Sequence, residues 1–189
     1  FDADASDMPF ADKVFDYAIC SHVLEHVEQP DAVIAELTRV AKAGYIEVPE
    51  AASAKIVDFP SHLWWVTLDE GALVFTAKSS AYFDADIDRY LTASGMRQPL
   101  ADLLDKHLDH RVIELPWTGS VACRVVGAPS AALLASARDA DAHHRGGETV
   151  AVRVLTALLT APLRRRKHRG PIRYDDVVRT GLRTGDGQL

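Results

Sequence analysis

Residues 14–49 read VFDYAICSHVLEHVEQPDAVIAELTRVAKAGYIEVP, and the alternation of patterns within them decides the fold. Residues 14–20 form a short run rich in β-branched and aromatic side chains, the pattern of a buried strand. Residues 31–42 place Val33, Ile34, Leu37, Val40 and Ala41 at the i, i+3, i+4 spacing of an amphipathic helix. Pro30 suits the first helical position and Gly44 suits the stop. Residues 45–48 then read as a second strand, closed by Pro49. Strand, helix, strand in this order predicts a parallel pair joined by a crossover helix. Such a unit belongs to an α/β sheet covered on both faces, with ligands bound at the carboxyl ends of its strands.

Downstream the pattern changes. Residues 63–68 and 72–77 read as a hairpin around Asp69-Glu70-Gly71. A helix is expected over 80–92, with Phe83, Ile87, Tyr90 and Leu91 on one face, and a shorter one over 99–108. Residues 111–115 and 121–126 are strand-like and joined by Pro116-Trp117-Thr118-Gly119. An alanine-rich helix is expected over 130–142, then a break at Gly146-Gly147 and a last helix over 149–160 before Pro162.

The upstream side of the deciding stretch carries chemistry-bearing residues. Asp4-Ala5, Met8-Pro9-Phe10, Asp12, Phe15-Asp16, Ser21-His22-Val23-Leu24-Glu25-His26, Glu36-Leu37-Thr38-Arg39-Val40 and Gly44 follow one another in a fixed order. That order resembles the type 11 family of class I S-adenosylmethionine-dependent methyltransferases. Met8 stands where the family usually has leucine, and Ala43-Gly44 where it has Pro-Gly or Gly-Gly. The resemblance covers about a quarter of the chain. It implies a partial Rossmann-like methyltransferase sheet, with the hairpin and helices as an elaboration. It also implies methyl transfer from S-adenosyl-L-methionine, a reaction aided chiefly by alignment of donor and acceptor.

By the same resemblance, Asp4 accepts from the adenine amine and Ala5 leaves room for the base. Cys20, Ser21 and His22 would lie beside the methionine part of the cofactor. The family's glycine-rich turn and its ribose-binding carboxylate precede the position of Asp4, where this chain has three residues. The resemblance therefore implies a longer parent protein and weak cofactor binding by this chain alone. It further implies an unpaired edge on the 14–20 strand, where aggregation would start.

Other motifs have competing readings. His62, ahead of Leu63-Trp64-Trp65, stands where an acceptor would bind and is the candidate general base. Trp64 or Trp65 could stack on a small-molecule or glycan acceptor; the alternative is a strand with one Trp inside and one outside. His22-Val23-Leu24-Glu25-His26 also fits H-x-x-E-H, a zinc peptidase signature. With no third ligand in view, no metal is assigned to it. The alternative is that Glu25 and His26 open a helical turn, with Leu24 packed inward.

Composition bounds the rest. At 48% hydrophobic and 25% charged residues the chain is of globular and not disordered type. No apolar run reaches the roughly 20 residues of a membrane span. Cys20 and Cys123 stand alone, which favours a reducing, cytoplasmic setting. Residues 145–189 carry ten Lys/Arg against four Asp/Glu, whereas the remainder carries 11 against 23. The acidic body argues against nucleic acid as a partner, and the basic tail offers a peripheral contact for an anionic membrane. The expected domains are a methyltransferase part over 1–128, a helical extension over 129–162 and a basic tail over 163–189. A non-catalytic remnant acting as an interaction module is the alternative function.

Overall fold

The computed structural model describes residues 3–145. Expectations for the 149–160 helix and the basic tail fall outside them. The chain opens with β1 (Phe15–Ser21), α1 (Pro30–Val40) and β2 (Ala41–Pro49). β1 and β2 pair in parallel, so the crossover unit forms as the sequence predicts. α1 starts with Pro30 in its first turn, where a missing N–H costs nothing, and buries Val33, Ile34, Leu37 and Val40. Its free carbonyls at the far end are met by Lys13, whose ammonium reaches Ala41 O at 3.0 Å and whose N–H donates to Arg39 O at 2.8 Å.

Gly44 is not the helix stop. The helix ends at Val40, Ala41 is already extended, and β2 begins there without a loop. Gly44 lies in the middle of β2, opposite Ala18 on one side and Trp117 on the other. A Cβ at this position would lie 2.4 Å from Ala18 O and 2.5 Å from the Trp117 ring. The glycine is there to let an indole lie flat across the strand.

Next come α2 (Ala51–Ile56), β3 (Trp64–Asp69), β4 (Ala72–Ala77), α3 (Ala85–Ala93), α4 (Arg97–Asp105), α5 (Leu108–Arg111), β5 (Val112–Thr118), β6 (Cys123–Val126) and α6 (Ala131–Arg145). The hairpin is present, with Glu70 and Gly71 both at positive φ as a tight two-residue turn requires. Asp69 is the last paired residue of β3 and not part of the turn. The helix expected from residue 80 starts five residues later. Asp84 caps it by accepting from the N–H groups of Asp86 and Ile87, and this leaves Phe83 outside it.

Two three-stranded sheets result, ordered β1-β2-β5 and β3-β4-β6. β5 runs antiparallel to β2 and continues through Pro116–Thr118, which were expected to link two strands; β6 runs parallel to β4, so β5 and β6 separate into different sheets. A single bridge from Glu50 to Val66 links them. One face of the first sheet, through Cys20, Ile46 and Val48, packs on α1 in a core that also takes Leu63, Trp64 and Phe75. The opposite face exposes Tyr17 and Ile19. Among the described residues, then, this sheet is covered on one face only, where two were expected. No helix among the described residues is long and apolar enough to cross a membrane.

Candidate functional site

The residues ahead of β1 are held by the second half of α1. Arg39 donates from Nη1 to Phe10 O at 2.8 Å and to Asp12 Oδ1 at 2.7 Å, from Nη2 to Met8 O at 2.9 Å, and from Nε to Glu36 Oε1 at 2.6 Å. Glu36 in turn accepts from Met8 N at 2.7 Å. One guanidinium fork thus fastens the Met8–Pro9–Phe10 segment to the helix, which gives the Glu-x-x-Arg spacing its physical meaning. Arg39→Ala should cost about 2 kcal/mol, the worth of a charge-assisted bond in this setting, measurable by urea unfolding. Arg39→Lys should recover less than half of the loss, because an ammonium cannot span two carbonyls and two carboxylates.

So anchored, Asp4, Ala5 and Ser6 face Val27, Gln29 and Val33 across an open hollow of about 360 Å³. Asp4 Oδ1 accepts from Ser6 N at 2.8 Å and Ser6 Oγ at 2.7 Å. These bonds hold its carboxyl below the usual range, so it is ionised at neutral pH. Both of these bonds fall on Oδ1.

Cys20, Ser21 and His22, at the end of β1, do not line this hollow. The Cys20 side chain points into the core, where burial pushes its thiol up to about 11. Ser21 points the other way and donates to Glu47 Oε1 at 2.7 Å. His22 turns the chain at φ 53°, an uncommon conformation for a residue with a Cβ. Its ring lies between two carboxylates, with Nδ1 3.2 Å from Glu25 Oε1 and Nε2 3.2 Å from Glu47 Oε1. The bond to Glu25 holds His22 above its ordinary value. His22 also borders a second hollow of about 170 Å³ with Pro49, Ser53, Val57, Phe59 and Arg111.

Residues 22–29 form a turn and not a helix, so His22 and His26 do not share a helical face as an H-x-x-E-H peptidase requires. Leu24 packs inward. The third residue that the sequence does not offer arrives from 36 positions downstream of His26. His62 is buried, stacked edge-on to His26 at 4.8 Å and against Phe59 at 5.2 Å. Burial first, then the neighbouring positive groups, lower it to about 3, so it is neutral at pH 7 and a weak base.

The tryptophans follow the alternating-strand reading. Trp64 is buried and donates from Nε1 to Val27 O at 2.8 Å, bracing the loop after β1. Trp65 is partly exposed, with Lys78 over its ring at 4.6 Å. Glu47, Arg111 and the Val27–Gln29 wall escape the sequence reading. Glu47 alone carries a local signal, as a carboxylate in a strand that ends beside the crossover loop.

Residues 1–46 match a family described as a methyltransferase domain. No curated protein and no solved structure matches the chain.

Proposed function

We propose, from the membership of residues 1–46 in the type 11 family of class I methyltransferases, that the protein transfers a methyl group from S-adenosyl-L-methionine to a small-molecule or glycan acceptor. The observation that carries this reading is the hollow that ionised Asp4 and small Ala5 line together with Val27, Glu28 and Gln29. An acceptor-only carboxylate suits an exocyclic amine, and the lack of side-chain bulk at Ala5 suits a flat base. When bound, the cofactor supplies an electrophilic methyl on a sulfonium. The chain's part is to orient donor and acceptor and to exclude water.

Of the sequence-predicted residues, Asp4 and Ala5 fit the adenine side. Ser21 and His22 fit the methionine side, Cys20 through its backbone alone. The general-base role considered for His62 fits poorly with an imidazole buried away from solvent and held neutral. Alignment, with His22 and Arg111 at the rim of the second hollow, accounts for the chemistry better. A reducing, cytoplasmic setting belongs to the same proposal.

Calorimetric titration with S-adenosylhomocysteine tests it, on this chain and on one extended upstream in its reading frame. The family's ribose-binding elements precede Asp4, so the extended protein is expected to bind more tightly. Asp4→Ala should weaken that binding by about 10-fold or more, the worth of one hydrogen bond to a charged group. Absence of binding in both folded proteins would overturn the proposal and leave the interaction-module reading in its place.

A further inference from the structure

Glu25, His26 and His62 each offer one ligand atom, and these atoms lie within 4.8 Å of one another. Two of the three residues are deeply buried, Glu25 at 1% and His62 at 7% exposure. Each hides a polar atom without a partner, Glu25 Oε2 and His62 Nδ1. Each such buried atom costs free energy unless something meets it. The third residue, His26, is 31% exposed at its side chain, which gives the cluster a route to solvent.

The surroundings are arranged as a ligand set requires. His26 Nδ1 lies 3.1 Å from Ser61 O, and a carbonyl can only accept, so the proton sits on Nδ1 and the Nε2 lone pair is free. That Nε2 is 3.8 Å from Glu25 Oε1, about half an ångström wider than ligand atoms sit around a tetrahedral Zn²⁺, so the two side chains close slightly on an ion. His22 faces Glu25 Oε1 at 3.2 Å and is itself backed by Glu47, the kind of outer support that fixes a ligating carboxylate. The backbone is pinned as well: Leu63 N donates to Glu25 O at 2.7 Å, which holds the two segments in place.

We propose that Glu25, His26 and His62 form a binding site for a divalent transition-metal ion, of which Zn²⁺ fits the two-imidazole, one-carboxylate set best. The ion fastens the loop after β1 to the segment before β3. Its fourth position opens toward solvent on the His26 side. Binding exchanges the waters of the ion for two neutral imidazoles and a carboxylate, with no change of oxidation state.

The metal-free chain is titrated with Co²⁺, then with Zn²⁺ in competition. The expected result is one Co²⁺ per chain, the visible bands of a tetrahedral nitrogen and oxygen site, displacement by Zn²⁺ and a raised melting temperature. Glu25→Gln and His62→Gln should each weaken binding at least 10-fold, and exposed His107→Gln should leave it unchanged. Should either variant fail to fold, Co²⁺ broadening of the wild-type amide spectrum substitutes. Broadening centred on residues 25, 26 and 61–63 supports the site. Less than one bound ion, broadening centred elsewhere, or binding that survives both substitutions overturns it. None of these readouts involves the methyl donor, so the outcome is independent of the methyl-transfer reading.

Discussion

Replacing Lys78 by methionine should destabilise the fold by about 3–5 kcal/mol, the cost of stranding one member of a buried ion pair. The Lys78 side chain is fully buried just past the end of β4. Its ammonium uses three donors, to Asp58 Oδ1 at 2.7 Å, Ala81 O at 2.8 Å and Phe59 O at 3.2 Å. Asp58 is 6% exposed at its side chain and also accepts from Phe83 N at 2.7 Å. Burial pushes the Asp58 carboxyl up and the Lys78 ammonium down, so for both groups desolvation outweighs the pairing. The intact pair therefore adds little net stability, yet removing the ammonium takes the cation from a buried carboxylate and the donor from Asp58 Oδ1 and two carbonyls. Lys78→Met with Asp58→Asn should recover at least half of the loss, since the amide oxygen still accepts from Phe83 N. Urea unfolding followed by circular dichroism reads both. A loss below about 1 kcal/mol for the single variant would contradict this view of the pair. Asp58 and Phe59 begin the segment that carries His62, so the same variant should also loosen that ring.

Gly44→Ala should cost about 1–3 kcal/mol, the usual cost of carbon inserted into a packed core. The added carbon would meet a backbone oxygen of β1 on one side and the Trp117 indole on the other. The indole can rotate away, whereas the Ala18 carbonyl is fixed by the parallel ladder. Trimming the indole as well, in Gly44→Ala with Trp117→Leu, should therefore restore only part of the stability. Full restoration would show that the carbonyl yields and that the tight strand pairing at Ala18 is not the constraint. Thermal unfolding of the two variants separates these outcomes.

Gly44 also marks where sequence reading reaches its limit. A glycine after a helical pattern is a sound stop signal, but here its reason is an indole 73 positions away in β5. The crossover unit is legible because its periodicities are local: a strand run, a 3.6-residue stripe and a proline at the right place. α2 is not, because it spans only six residues and its cap is Glu50, which is not among the usual capping types. Nor can local pattern tell which neighbour a strand will choose, so β5 and β6 read as companions although they join different sheets.

The candidate site divides in the same way. Asp4, Ala5, Ser21 and His22 come from an ordered motif; the structure sets Asp4 and Ala5 at one hollow and His22 at another, with Ser21 bonded to Glu47. Glu36 and Arg39 belong to that motif too, and the structure gives them a bracing role. The meeting of Glu25 and His26 with His62 leaves no trace in spacing, because it depends on how the segment before β3 folds back under the loop. The H-x-x-E-H match assumes a helix and pairs His22 with His26, whereas the structure sets His26 beside His62.

The central claim is that the hollow between Asp4 and Gln29 holds the adenosyl end of the methyl donor. Amide NMR of the upstream-extended protein titrated with S-adenosylhomocysteine tests it most directly. The account predicts saturable shifts centred on Ala5, Ser6, Val27, Glu28 and Gln29, lost in Asp4→Ala. Saturable binding that leaves those five amides unmoved, or no binding by the folded protein, would contradict it.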